Sequence, residues 1–279
     1  MPISRKELSA LRHPKETPRF YVTLFVLIPL GIIVAALTIA SFGLILLIAP
    51  LVLFVLWFSL RMFAAYYMNN TILVTAESFP DAHRAIEDAK QYFGYTKPIQ
   101  AYVYQEGTYN MALMPLLNVK VLLLNSELMR PENNDDELRF LVGRFVGALA
   151  SKHYRFMWLQ AFLNGVEKLA IFNILLYPYE RALKLSGDRL GLAMIGGDID
   201  AAVQSMVKLV VGTDIADQVN VDAFVKQGER HGGGFFRWLV KALSTFPHTT
   251  TRVSELLKFA ASAYPAPLQP VMPTGRAAE

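Results

Sequence analysis

Charged side chains set inside apolar helical stretches carry most of the chemistry this chain could do. In FLVGRFVGALASKHY, residues 140–154, Arg144 lies among apolar residues at helical spacing, between Gly143 and Gly147, and His153 closes the stretch. In ERALKLSGDRLGLAMIGGD, residues 180–198, Lys184 and Asp188 are four apart, so a helix puts them on one face. A carboxylate there can pair with cations. It could hold a metal only if imidazoles or further carboxylates stood one turn away. His83, His153, His231 and His248 lie far apart with no His-x-x-x-His pair, and cysteine is absent. Ser186 has no neighbouring His and no nucleophile-elbow motif, so it is expected to pack within a helix. The run HGGG, residues 231–234, follows no strand and reads as a connection rather than a phosphate loop.

The elements that must position these residues begin with an apolar run. Of the 279 residues, 53 % are hydrophobic, and from Phe20 to Leu60 none is charged. One helix of that length would measure roughly 60 Å, about twice the hydrocarbon thickness of a bilayer. The run is therefore expected to form a transmembrane hairpin over 20–62, turning at Ser41-Phe42-Gly43, with Pro29 and Pro50 inside its arms. It is too long for a signal peptide. Arg5, Lys6, Arg12, Lys15 and Arg19 form a basic tail over 1–19, and Arg61 closes the hairpin. Basic flanks stay on the cytoplasmic side, so both termini and the soluble part are expected in the cytoplasm, on an inner membrane crossed twice. The net charge of +4 reads as topology and attraction to lipid headgroups. No basic stripe with interleaved aromatics suggests nucleic acid.

Beyond the hairpin, residues 63–264 read as one α+β domain, mostly helical, with a small sheet. Ser78 is expected to cap a helix to Tyr92 with Ala82, Ile86 and Ala89 on one face. IQAYVY (99–104) and VKVLLL (119–124) read as strands, with a third within 107–115. A helix capped by Asn134 or Asp135 follows, with Leu138, Leu141, Val142, Phe145, Val146 and Leu149 apolar at helical spacing. Residues 156–178 read as a buried or membrane-surface helical pair, and further helices are predicted near 179–195, 199–211, 221–229, 235–245 and 250–263. The Pro-rich residues 265–279 are expected to be disordered.

Three segments together resemble the HtpX-like and CAAX-prenyl-protease-type membrane zinc metallopeptidases. Residues 140–154 resemble their active-site helix, with Gly143, Gly147 and His153 at framework positions. Residues 180–198 resemble the stretch that supplies their third ligand, matching at Arg181, Leu185, Ser186, Asp188, Arg189, Gly191 and Leu192. FPHTTTRVSEL, residues 246–256, resembles their closing motif through Arg252 and Leu256, with Pro247-His248 in reversed order. Asn110, in YNMAL, resembles the start of their substrate-side strand, and LLLNSEL (122–128) their strand-to-helix entry. The resemblance implies a zincin-like domain behind a membrane hairpin. It also implies that Arg144, Phe145, Ala148 and Lys184 stand where the two His ligands, the general base and the Glu ligand belong.

All four chemical residues are thus replaced together, two of them by cations, and neither a metal nor another cofactor is expected. The expectation is a pseudoenzyme: a catalytically inactive metallopeptidase homologue acting as a binding, scaffold or regulatory protein. Its partners would be membrane lipid and a protein or polypeptide in the old cleft, lined by Asp188, His153, His248, Arg252 and Asn110. An active peptidase with an atypical site, and a structural subunit of a membrane complex, are the alternatives. Because the Asp of the second motif lies beside the first ligand position in that family, Arg144 and Asp188 are expected to pair across two helices.

Overall fold

The computed structural model describes residues 2–41, 43–105, 110–116, 119–153, 170–230, 234, 239, 243–244 and 247–265. Most of the expected helix at 235–245, all but the first residue of the tail 265–279 expected to be disordered, and most of the apolar stretch 156–178 lie outside the described residues, as does HGGG up to residue 233.

A short helix α1 (Arg5–Ala10) opens the chain, closed by a reciprocal cap: Ser4 Oγ accepts from the Glu7 N–H and Glu7 accepts from the Ser4 N–H. Helix α2 (Glu16–Ala40) and helix α3 (Leu44–Asn69) follow, turning where the apolar run was expected to turn. Gly43 takes a left-handed φ of +80° at that turn. Their apolar side chains face outward: Phe25, Ile39 and Leu47 are 75–79 % exposed, a surface water would not tolerate over such an area. Among the described residues, α2 is the helix long and apolar enough to cross a membrane. Helix α3 contributes a described apolar stretch over Leu46–Ser59.

The rest is mostly helical with a four-stranded sheet. Strands β1 (Ile72–Leu73), β2 (Ile99–Tyr104), β3 (Met111–Leu116) and β4 (Val119–Asn125) lie in the order β1-β2-β4-β3. β2 and β4 run parallel, with Ala101 opposite Leu122 and Val103 opposite Leu124, and β3 returns antiparallel at the edge. Alternation puts Ala101, Val103, Leu122 and Leu124 into the main core, while Tyr102, Val121 and Leu123 form a smaller cluster on the other face.

Helix α4 (Pro80–Phe93) buries Ala82, Ile86 and Ala89 as its spacing predicts. Ser78 does not cap it. The cap position is Phe79, in a left-handed conformation, and Pro80 opens the first turn. Thr75 has taken Ser78 into a tight turn, its Oγ1 accepting from the Ser78 N–H. Helix α5 (Asp135–Ala150) is capped by Asn134, whose side chain accepts from the Asp136 N–H. Helix α6 (Ala170–Met194) begins earlier than the predicted 179 and runs through Pro178. Helices α7 (Ile199–Val211), α8 (Val221–Arg230) and α9 (Thr249–Ala263) complete the described part.

α5 and α6 form the centre, and glycine lets them touch. A Cβ on Gly191 of α6 would lie 2.6 Å from the Phe140 carbonyl oxygen of α5 and from Arg144 Cγ. One on Gly143 would lie 2.8 Å from Met194 Sδ, and one on Gly147 2.9 Å from Leu190 Cβ. The glycines of the two motifs therefore let these two helices approach to backbone contact.

Candidate functional site

Asp188 is the centre of a buried ionic cluster. Its side chain on α6 is only 2 % exposed. Arg252, in the first turn of α9, holds it with two parallel hydrogen bonds: Nε donates to Oδ2 at 2.9 Å and Nη2 to Oδ1 at 2.7 Å. Arg144 reaches it from α5, its Nε 2.8 Å from Oδ1, an ionic contact rather than an aligned hydrogen bond. The guanidinium of Arg144 also lies 5.8 Å from the ring centres of both Phe140 and Phe145. One carboxylate therefore ties three helices.

Electrostatics follow from that arrangement. Burial pushes the Asp188 carboxyl up, and the charges of Arg252 and Arg144 more than offset it, so it titrates below the usual carboxylate range. Lys184 stands one turn before Asp188, with Glu180 one turn before that. Burial lowers the Lys184 ammonium below its ordinary value, and Arg144 beside it lowers it further, while Glu180 opposes both. The guanidiniums of Arg144 and Arg252 thus meet on Asp188, and the charges of Arg144, Glu180, Arg252 and Asp188 all act on the buried Lys184 amine.

Of the residues singled out from sequence, the structure brings Arg144, Lys184, Asp188 and Arg252 together. Phe145 packs beside Arg144, half-buried against the core, and Ala148, one turn beyond Arg144, is buried. His248 occupies the residue preceding α9, one turn from Arg252, and its carbonyl accepts the Arg252 N–H at 3.0 Å. Asn110 is exposed at the start of edge strand β3, where its side chain accepts from the Met111 N–H. His153 belongs to a different polar group. The other matched positions of the second motif have packing or bridging roles: Arg181 Nη1 donates to the Ser244 carbonyl at 2.8 Å, and the Arg189 guanidinium sits 4.5 Å from the Phe259 ring centre.

Sequence reasoning missed the second group. Glu16, at the start of α2, is buried. His153 Nε2 lies 3.2 Å from its Oε1, and Ser186 Oγ donates to its Oε2 at 2.5 Å. Ser186 also accepts the His13 N–H at 2.9 Å, so it bridges rather than merely packs. His13 Nε2 lies 3.5 Å from Glu255 Oε2 on α9. Burial and the nearby Arg189 charge hold His13 below the ordinary histidine value, more than Glu255 raises it. The group contains a Ser, a His and a Glu, but the serine hydroxyl points at the carboxylate and is fully buried, which is not a nucleophile's geometry. An acidic residue just ahead of an apolar run, inside a basic flank, was the available signal.

Compared with known protein-family models, curated proteins and solved structures, the chain matches none. The likeness to zinc peptidases therefore rests on the three motifs themselves. Among the described residues no three His, Asp or Glu side chains converge as a metal would require.

Proposed function

We propose that the chain is a membrane-anchored pseudopeptidase of the HtpX-like kind, with a zincin-like domain that binds or scaffolds rather than cleaves. The observation that supports this reading is the ionic cluster: Arg144 and Lys184, which stand at two of the ligand positions in the motifs, lie beside the buried Asp188, on which Arg144 and Arg252 meet. Protonated Arg and Lys have no lone pair to give a metal. Each adds a repulsion of about 4 kcal/mol per unit charge at ~4 Å and an effective dielectric near 20. A dication is repelled twice as strongly. Ala148 offers no donor, and Phe145 cannot activate water.

On this reading α2 and α3 enter the bilayer as a hairpin, with Arg12, Lys15 and Arg19 at one end and Arg61 near the return on the same side. Arg61 lies 5.9 Å from the Trp57 ring centre, a pairing suited to the headgroup level. The domain then sits at the cytoplasmic face, where a polypeptide or a membrane-complex subunit is its partner.

The test is metal content and turnover of the full chain purified in detergent, before and after incubation with zinc. The expected result is far less than one zinc per chain and no hydrolysis of unfolded protein substrates. The variant Arg144→His, Phe145→Glu, Ala148→His, Lys184→Glu should gain zinc. Stoichiometric, chelator-removable zinc in the unaltered chain, or metal-dependent cleavage, would overturn the reading. A reporter active only outside the cytoplasm, fused after Glu77, should stay silent; activity there would reverse the orientation.

A further inference from the structure

The same three helices are tied together twice. At one level Asp188 of α6 holds Arg144 of α5 and Arg252 of α9. At the other the arm Leu11–Lys15 and Glu16 touch all three. Arg12 Nη2 donates to the Ser151 carbonyl beyond α5 at 2.8 Å, and Glu16 meets His153. Ser186 of α6 bonds both Glu16 and the His13 N–H, and Arg189 Nη1 reaches the Arg12 carbonyl at 3.4 Å. His13 faces Glu255 of α9, one turn from Arg252. The arm runs directly into α2, whose Arg19 donates to the Pro178 carbonyl at 2.9 Å and whose Phe20 ring lies 5.5 Å from that of Tyr179.

The two levels share one turn of one helix. Ser186 is two residues from both Lys184 and Asp188, which puts it on the opposite side of α6 at about 100° per residue. A shift or rotation of that turn moves both contacts together. Ahead of His153, Lys152 holds a left-handed φ of +59°, costly for a residue with a Cβ. That backbone turns the chain so that His153 meets Glu16, and the Arg12 bond to Ser151 holds it from the other side.

We propose that the arm and the Asp188 cluster are two halves of one joint, through which the seating of α2 sets the relative placement of α5, α6 and α9. Resting on the reading of α2 as a membrane anchor, the inference names what that anchor acts upon. A bilayer or partner that pulls on α2 then reaches the cluster without touching it. The energetic link must also run in reverse, because coupling between sites is reciprocal.

Amide hydrogen exchange of the full chain in detergent tests this in both directions. Ser186→Ala removes one hydroxyl. It should speed exchange in residues 11–16 and, about tenfold, in 249–256, with α4 (80–93) unchanged. Arg252→Gln, at the other level, should speed exchange in 11–16 by a similar factor. Effects confined to the altered level in either variant would overturn the joint, as would equal acceleration in α4, which marks general loosening. Because exchange is read in detergent, the joint can fail or hold independently of membrane topology. The membrane reading fails separately if the chain is extracted from membranes by alkaline carbonate.

Discussion

Asp188→Leu removes the carboxylate on which Arg144 and Arg252 converge, and its cost follows from what is left behind. Both guanidiniums are close to buried, 12 % and 11 % exposed, and both reach the same oxygen. Without Asp188 they face each other at about 6 Å, a repulsion of about 3 kcal/mol at an effective dielectric near 20. Each also loses the partner that compensated its burial. One-sided removal of a buried ion pair costs about 3–5 kcal/mol, and this case belongs at the upper end because two cations are orphaned. In a domain of this size the melting temperature should fall by roughly 6–20 °C. Arg252→Met should cost less, since Asp188 then keeps Arg144. The assay is thermal melting of the full chain in detergent, followed by a domain-specific probe, with Arg144→Met and Asp188→Leu singly and combined. The double variant should recover part of the single losses. A Leu variant within about 2 °C of the parent, or strictly additive losses in the cycle, would show that the cluster does not hold the helices.

Acid should act through the same carboxylate. Because the folded value of Asp188 lies below its unfolded value of about 3.9, its contribution is complete above that value and is lost as pH falls through the lowered one. Melting should therefore decline below about pH 4, and that share of the decline should vanish in Asp188→Leu. The triple replacement Arg144→Met, Asp188→Leu, Arg252→Met should melt near the parent, since a buried ionic cluster seldom outperforms a well-packed apolar one; a loss as large as that of Asp188→Leu would contradict this. Gly191→Ala should destabilise by about 1–3 kcal/mol, because its Cβ meets the Phe140 carbonyl, which cannot swing aside. Gly143→Ala should cost less, its nearest neighbour being the flexible Met194. Lys208→Met, which leaves buried Glu137 without the Nζ 2.7 Å away, should cost about 3–5 kcal/mol on the same melting assay.

Local patterns were legible in the sequence and long-range ones only where a spacing rule pointed at them. The strands at 99–104 and 119–125 and the core face of α5 follow from residue type and period. The Arg144–Asp188 contact was foreseeable because the motifs name both positions on facing helices. That Arg252 would take the bidentate role was not, since its distance from Asp188 depends on where α9 docks. A helical pair was expected to end at 178 and a new helix to begin near 179, yet α6 runs through Pro178, whose carbonyl accepts from Arg19. Glu16 was hardest to see. Its partners are 137 and 170 positions away, and beside Arg12, Lys15 and Arg19 it reads as one more interfacial charge. Among the described residues one helix, α2, meets both the length and the hydropathy of a span, where the uncharged run from Phe20 to Leu60 led to an expectation of two.

The residues that resemble a metal site and the residues that hold the helices together are not doing the same job. Backbone contact between α5 and α6 is enabled by Gly143, Gly147 and Gly191, and it needs no charge: the apolar surface of Phe140, Leu190 and Met194 closes over it. What glycine packing cannot do is choose where α9 lies, because ridges of similar apolar side chains fit in more than one register. Arg252 can, since a planar fork meets a carboxylate well in only a narrow range of positions. A zinc ion would impose such a restriction through coordination geometry. Here directional hydrogen bonds from an arginine impose it, and their net stabilisation can be small while their selectivity is large.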